Sequence, residues 1–262
     1  MRLLDAHAHL CDAAFDRDRD EVLSRAREAG VGGVVAVGET LADARRNLEL
    51  ARAHPGMVLP AAGLFPTHLD PREAAAVEGW IRDHRLELVA IGEVGLDHWK
   101  VKDEAGRALQ RSIFDRFISL AAELDLPLNV HSRSTGRETI ALLLERGARR
   151  VLLHAFDGKV STARPAVDAG YFFSIPPSIV RSEQKQKLVR SLPLSCLLLE
   201  TDSPVLGPDR KERNEPANVV VSLRAVAEIK GIPEEAVART VEENAVRLFG
   251  SLACLLEGGP VA

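Results

Sequence analysis

Residues 128–156 read LNVHSRSTGRETIALLLERGARRVLLHAF. Short apolar runs at 128–133 and 151–156 each give way to a polar cluster, and between them residues 136–146 space their leucines as a helix does. A strand, a helix and a second strand in so few residues predict a βαβ unit with parallel strands. The same alternation extends in both directions, with strand runs at 3–9, 33–38, 58–65, 88–95, 171–176 and 196–202. Helical patterns lie between them at 17–29, 41–53, 72–84, 107–124, 160–169 and 182–190, and two more follow at 218–230 and 233–249, parted by Gly231-Ile232-Pro233. Eight such units in roughly 250 residues predict an α/β fold of the (β/α)8 TIM-barrel kind. An open doubly wound sheet would need a glycine-rich phosphate loop after the first strand, and Leu10-Cys11-Asp12-Ala13-Ala14-Phe15 is not one. No Pro/Ser-rich linker interrupts the pattern, so residues 1–250 are expected to form one barrel followed by a tail, 251–262.

Composition agrees with a globular chain: of 262 residues, 46% are hydrophobic and 27% charged, which excludes disordered and collagen-like classes. No apolar run reaches the ~18 residues of a spanning helix, and Asp5 and His7 stand where a signal peptide would be apolar. An intracellular protein, cytoplasmic or nuclear, is expected. Cys11, Cys196 and Cys254 form no C-x-x-C pair, so neither a disulfide framework nor a thiolate zinc site is encoded. The net charge of -4 argues against a surface coated for nucleic acid, although residues 131–213 carry 14 Lys+Arg against 9 Asp+Glu. Charge runs of that size usually solvate helix faces.

Four histidines, His7, His9, His131 and His154, fall near the C-terminal ends of the first, fifth and sixth strand runs, the end where barrel enzymes build their sites. In Asp5-Ala6-His7-Ala8-His9 the strand alternation puts Asp5, His7 and His9 on one face, expected to be the barrel interior. An isolated H-x-H on a strand is more often a hydrogen-bonded core pair. Here it converges with Glu93 at the end of the fourth run and with Glu200 and Asp202 at the end of the eighth. So many imidazoles and carboxylates at one end of a barrel cost too much desolvation to be ordinary packing unless something cationic neutralises them. Metal ions meet that need, with Glu93 placed to bridge two of them. Imidazole and carboxylate donors without a thiolate suit zinc, manganese, nickel, cobalt or iron, whereas magnesium prefers all-oxygen shells.

At these residues the sequence resembles the TatD family of metal-dependent deoxyribonucleases, within the amidohydrolase-like barrel superfamily. The likeness spans nearly the whole chain and rests on Asp5–His9, Gly92-Glu93-Val94-Gly95-Leu96-Asp97, Asn129-Val130-His131-Ser132-Arg133, Leu153-His154-Ala155-Phe156-Asp157-Gly158, Glu200-Thr201-Asp202-Ser203-Pro204 and Arg213-Asn214-Glu215-Pro216. The stretches 129–133, 152–158, 170–180 and 213–217 look closest to the third TatD-domain paralogue of animals. The resemblance implies two divalent metal ions, among zinc, manganese, magnesium, nickel and cobalt. His7, His9, Glu93 and Asp202 would surround one, and Glu93, His131 and His154 the other. It further implies hydrolysis of DNA phosphodiester bonds through a metal-bound water that Asp202 orients or deprotonates, as a 3′-5′ exonuclease with abasic-site endonuclease action as a further mode. The expected partner is DNA, single-stranded or frayed, with no membrane and no obligate protein partner.

One departure stands out. The family commonly has Gly-x-His-Pro after the third strand, and here the chain reads Gly63-Leu64-Phe65-Pro66, with His68 three positions on as the candidate to reach back toward substrate. Arg133, two residues beyond His131, is expected to grip a phosphate; its alternative is a buried partner for Glu200 or Asp202. Trp99, on the polar loop Asp97-His98-Trp99-Lys100, is expected to stack on a base with Lys100 behind it, or else to pack beneath a neighbouring loop. His54 and His84 end helices and have surface roles, and His98 lies on the rim. Two rival functions follow from the same residues. An amidohydrolase-type enzyme acting on a cyclic amide, lactone or phosphoester would commonly bridge its metals with a carboxylated lysine at the end of strand 4, where Glu93 stands instead. A non-catalytic scaffold with a structural metal would want a closed, thiolate-rich site.

Overall fold

The computed structural model describes residues 2–250; the expected tail, 251–262, lies outside the described residues. Eight parallel strands follow one another around the sheet in chain order: β1 (Leu3–Ala8), β2 (Val31–Ala36), β3 (Val58–Ala62), β4 (Ala90–Gly95), β5 (Leu128–His131), β6 (Val151–Leu153), β7 (Phe172–Ile175) and β8 (Leu197–Leu199). Helices α1 (Arg19–Glu28), α2 (Leu41–Ala53), α3 (Pro71–His84), α4 (Glu104–Leu124), α5 (Gly136–Glu145), α6 (Val160–Asp168) and α7 (Glu183–Ser191) fill the crossovers, and α8 (Val219–Lys230) and α9 (Glu234–Phe249) follow β8. This is the expected (β/α)8 barrel. No helix among the described residues is long and apolar enough to cross a membrane.

The helices start where local chemistry starts them. Thr40 and Asp43 form a reciprocal capping box at α2, and Asp103 caps α4 by accepting from the Gly106 N–H at 2.7 Å. Each helix then lays one apolar stripe on the sheet; that of α4 includes Ile113, Phe114, Phe117 and Ile118, all buried. A separate apolar cluster joins Leu4, Val35, Leu59, Leu152, Phe172 and Leu198 of the strands to Leu248 and Phe249 of α9. Leu152 and Leu198 precede His154 and Asp202 by two and four residues, so this cluster packs the barrel below its polar end.

The strands are shorter than the apolar runs suggest. Runs expected to reach 133, 156 and 202 leave the ladder at His131, Leu153 and Leu199. The reason is backbone conformation: Ser134, Ala155 and Asp202 take positive φ values of 59°, 42° and 54°, which end the extended ladder and swing the following residues over the barrel mouth. Between β8 and β1 the barrel closes by two backbone bonds just past β8, Asp202 N–H to His7 O at 2.9 Å and His9 N–H to Ser203 O at 2.8 Å. Asp5 adds a side-chain stitch to this seam, accepting from the Thr201 N–H at 2.8 Å and from the Thr201 hydroxyl at 2.5 Å.

At Gly95 the φ is +146°, and a Cβ would overlap the carbonyl oxygen of His131 on the adjoining strand. Only glycine lets β4 and β5 approach closely enough here to bring Glu93 and His131 together. Gly95→Ala is therefore expected to cost ~1–3 kcal/mol of stability, as overpacking against a backbone atom does. A urea midpoint equal to wild type would show that the strands can part without cost.

Candidate metal centre

Six side chains from five strands or strand ends meet at the barrel mouth. Glu93 lies at their centre, 1% exposed, and its two oxygens face different imidazole pairs. Oε1 is 2.7 Å from His131 Nδ1 and 2.8 Å from His154 Nε2, while Oε2 is 3.4 Å from His9 Nε2 and 3.7 Å from His7 Nε2. Asp202 Oδ1 completes the second group at 3.4 Å from both His7 Nε2 and His9 Nε2. His7, His9 and Glu93 can hold one ion, with Asp202 beside them, and Glu93, His131 and His154 another.

The donors fit a metal on internal grounds. Imidazole nitrogens face each other at 3.3 Å in two places, His7 Nε2 to His9 Nε2 and His131 Nδ1 to His154 Nε2, with the carboxylates between them. Glu93 Oε2 is buried without a hydrogen-bond partner, an arrangement that is costly unless a cation takes its lone pairs, while His154 turns Nδ1 away from the centre toward Glu200 Oε2 at 3.7 Å. Burial alone would raise Glu93, yet the His154 and His131 imidazoles hold it well below the usual carboxylate range. Burial would likewise raise Asp202, and hydrogen bonds to His7 and His9 pull it down. Conversely, burial would lower His9, but Asp202 and Glu93 push it up to about 9. Carboxylates that stay ionised in a buried pocket and imidazoles that recruit positive charge describe a cation site.

An outer layer aims these donors. His7 Nδ1 lies 2.8 Å from Asn129 Oδ1, whose amide is itself fixed by donating to Ala6 O at 2.9 Å, so His7 presents Nε2 to the centre. Asp97 Oδ2 sits 3.1 Å from His131 Nε2 and turns Nδ1 inward in the same way. Asn129 and Asp97 were legible only as members of their motifs; inward strand parity with His131 was the available signal for Asn129. Glu200 stands outside the donor set: it accepts from Ala155 N–H at 2.8 Å and Ser174 hydroxyl at 2.6 Å, holding the loop that carries His154. Buried Lys185 of α7 grips the same loop from its other side, donating to Ala155 O at 2.9 Å. Nothing in the sequence distinguished Lys185 from the solvated lysines of its helix.

Above the centre opens a cavity of about 420 Å³ whose walls include Phe65, Arg133, Asp157, Val205 and Leu206. Arg133 is exposed on its rim and makes no ion pair with Glu200 or Asp202, so the buried-partner alternative fails. Its guanidinium instead lies 3.8 Å from the centroid of Trp99, which is 48% exposed and so not packed beneath a loop. One face of the indole is thereby covered by Arg133 rather than left for a base. His68 is not among the residues lining the main cavity; its Nδ1 is 3.8 Å from Glu73 Oε2, because Phe65–His68 turns away from the mouth and Phe65 itself takes the place beside His131, edge-on at 5.0 Å. The expected reach of His68 toward substrate is thus not what the loop geometry places there. Of the lysines and arginines of 131–213, Arg133 is the one that lines the cavity. Burial pushes the Cys11 thiol up to about 12, so it is no nucleophile. His54 pairs with Asp20 at 3.2 Å and His84 bonds Trp80 O at 2.9 Å, both at helix ends as expected.

A family model described as TatD related DNase matches residues 4–250. The chain belongs to the TatD family. Among TatD relatives, the deoxyribonuclease TATDN3 of Homo sapiens is 47% identical, over 97% of this chain and 97% of its own length, in keeping with the resemblance to the third animal paralogue. A protein named 3′-5′ ssDNA/RNA exonuclease TatD, from Pantoea ananatis, is 33% identical over 95% of this chain and 99% of its own. The crystal structure of YJJV, a TatD homologue from Escherichia coli, superposes with a TM-score of 0.88 at 27% identity, covering 95% of this chain and 98% of that one.

Proposed function

We propose that the protein is a metal-dependent deoxyribonuclease that hydrolyses phosphodiester bonds in single-stranded or frayed DNA, working from a 3′ end and also able to cut at abasic sites. The observation that carries this reading is the division of the Glu93 oxygens between two imidazole pairs, which supports a carboxylate shared by two candidate cation sites. Two divalent ions would be held there, by His7, His9, Glu93 and Asp202 and by Glu93, His131 and His154, and would supply charge neutralisation for phosphoryl oxygens and a more acidic water. The remaining work falls to the chain. Asp202, kept ionised by His7 and His9, orients a water and accepts its proton. Arg133, braced on Trp99, offers its fork to the phosphate. Phe65, Val205 and Leu206 give a sugar and base an apolar wall. A cavity of about 420 Å³ suits a nucleotide, within the ~300–1,000 Å³ typical of small-ligand pockets. Residues 1–250 act as one unit in this scheme, since donors come from both ends of that span.

The rival amidohydrolase reading loses its bridging lysine, because Glu93 fills that place and Lys185 is committed to Ala155 O. A structural-metal scaffold would have no use for the open cavity above the donors. The decisive experiment compares the metal-stripped and reloaded protein on labelled single-stranded DNA; absence of cleavage in both would overturn the proposal. Arg133→Lys is expected to raise KM for DNA several-fold, since an ammonium cannot reproduce the bidentate fork, with Tm nearly unchanged. A large fall in Tm with normal kinetics would instead make Arg133 a structural residue.

A further inference from the structure

Beside the main cavity lies a second hollow, of about 550 Å³, lined by Glu39, Phe65, Thr67, Leu69, Lys100, Val101, Lys102 and Asp103. Glu39 and Phe65 line both hollows, so the two meet across the Phe65 ring. The charges in the second hollow are unequal in availability. Asp103 is turned to its helix, capping the Gly106 N–H at 2.7 Å, and Glu39 faces His9 Nδ1 at 3.7 Å. Lys100 and Lys102 are exposed and, among the described residues, form no ion pair. Lys102 Nζ rests on His98 O at 3.2 Å, and Lys100 Nζ is 5.0 Å from the Trp99 centroid, on the same loop that braces Arg133. Three cations, Arg133, Lys100 and Lys102, therefore run from the metal centre outward along one side, with a partly exposed aromatic ring at the junction.

We infer that this groove is a second nucleotide subsite, which takes the nucleotide adjoining the one whose phosphate is cut. The inference rests on the proposed nuclease reading and extends it to how a strand is laid down. Phe65 presents a ring for one base, Leu69 and Val101 give the groove an apolar floor, and the ammonium groups of Lys100 and Lys102 meet the backbone phosphate. A base can reach Phe65 only when unpaired, so the subsite selects single strands. It also makes the site a reader of length: a substrate too short to cross Phe65 gains nothing from the two lysines.

The test uses the metal-loaded full chain and labelled oligothymidylates from two to eight nucleotides, comparing wild type with Lys100→Ala/Lys102→Ala. For the octamer, KM is expected to rise roughly fivefold to tenfold with kcat within twofold, and the slope of log affinity against log salt to fall by about 0.7 per lysine. The gap between variant and wild type should narrow as the substrate shortens to the dimer. Equal KM and equal salt slope at every length, with wild type cleaving normally, would overturn the subsite alone. Wild type that cleaves no oligonucleotide would overturn the nuclease reading and the subsite together.

Discussion

Glu93→Ala is expected to lower DNA cleavage by about 10²–10³-fold or more, the scale seen when one electrostatic stabiliser of a transition state is removed. The effect follows from position. Among the described residues Glu93 is the one carboxylate within 4 Å of all four imidazoles, so its loss opens both donor groups at once and leaves His131 and His154 facing each other without their shared acceptor. Metal content of the purified variant should fall with the rate. The apolar layers of the barrel do not involve this side chain, so the variant should still fold and give a cooperative melt. Retention of bound metal together with wild-type cleavage would refute the shared-ligand assignment.

Stripping divalent ions with a chelator is expected to abolish hydrolysis and to lower Tm by on the order of 10 °C. Ligand at a thousandfold excess over Kd contributes about 4 kcal/mol, and each kcal/mol is about 2–4 °C in a chain somewhat smaller than this one. The physical origin is the crowding of ionised carboxylates at the mouth, with Glu93 Oε2 left unpartnered, which binding relieves. Adding back single metals, one at a time, and recording Tm alongside cleavage ranks the ions. An unaltered melting curve after verified metal removal would mean that the donors satisfy one another.

The architecture and the inward placement of the histidines were readable from short-range periodicity, whereas the division of the donors between two ions, with Glu200 left out, came from the family resemblance. Alternation along Asp5-Ala6-His7-Ala8-His9 assigns the inward face without knowledge of the partner strand, and regular βα spacing assigns the barrel. What stayed hidden depends on loop geometry and long-range contact. The turn at residues 65–68 puts Phe65 at the cavity and leaves His68 beside Glu73, although both were within reach by spacing alone. Lys185 appears as one more helical lysine until α7 is seen to press it against the Ala155 carbonyl. Arg133 shows the same limit: parity places it near His131, but only the Trp99 ring explains why it stays at the rim instead of turning in toward Glu200.

The stitch between Asp5 and Thr201 joins residues 196 positions apart, and it lies directly beneath the donors. Contacts of such separation slow folding, because the entropy of closing a long loop is lost before the contact rewards it. A partly synthesised or partly unfolded molecule therefore owns His7 and His9 but has no Asp202 to set beside them. The group formed by His7, His9 and Asp202 is thus assembled only when the eighth strand closes on the first, and the two ends of the described barrel share one site.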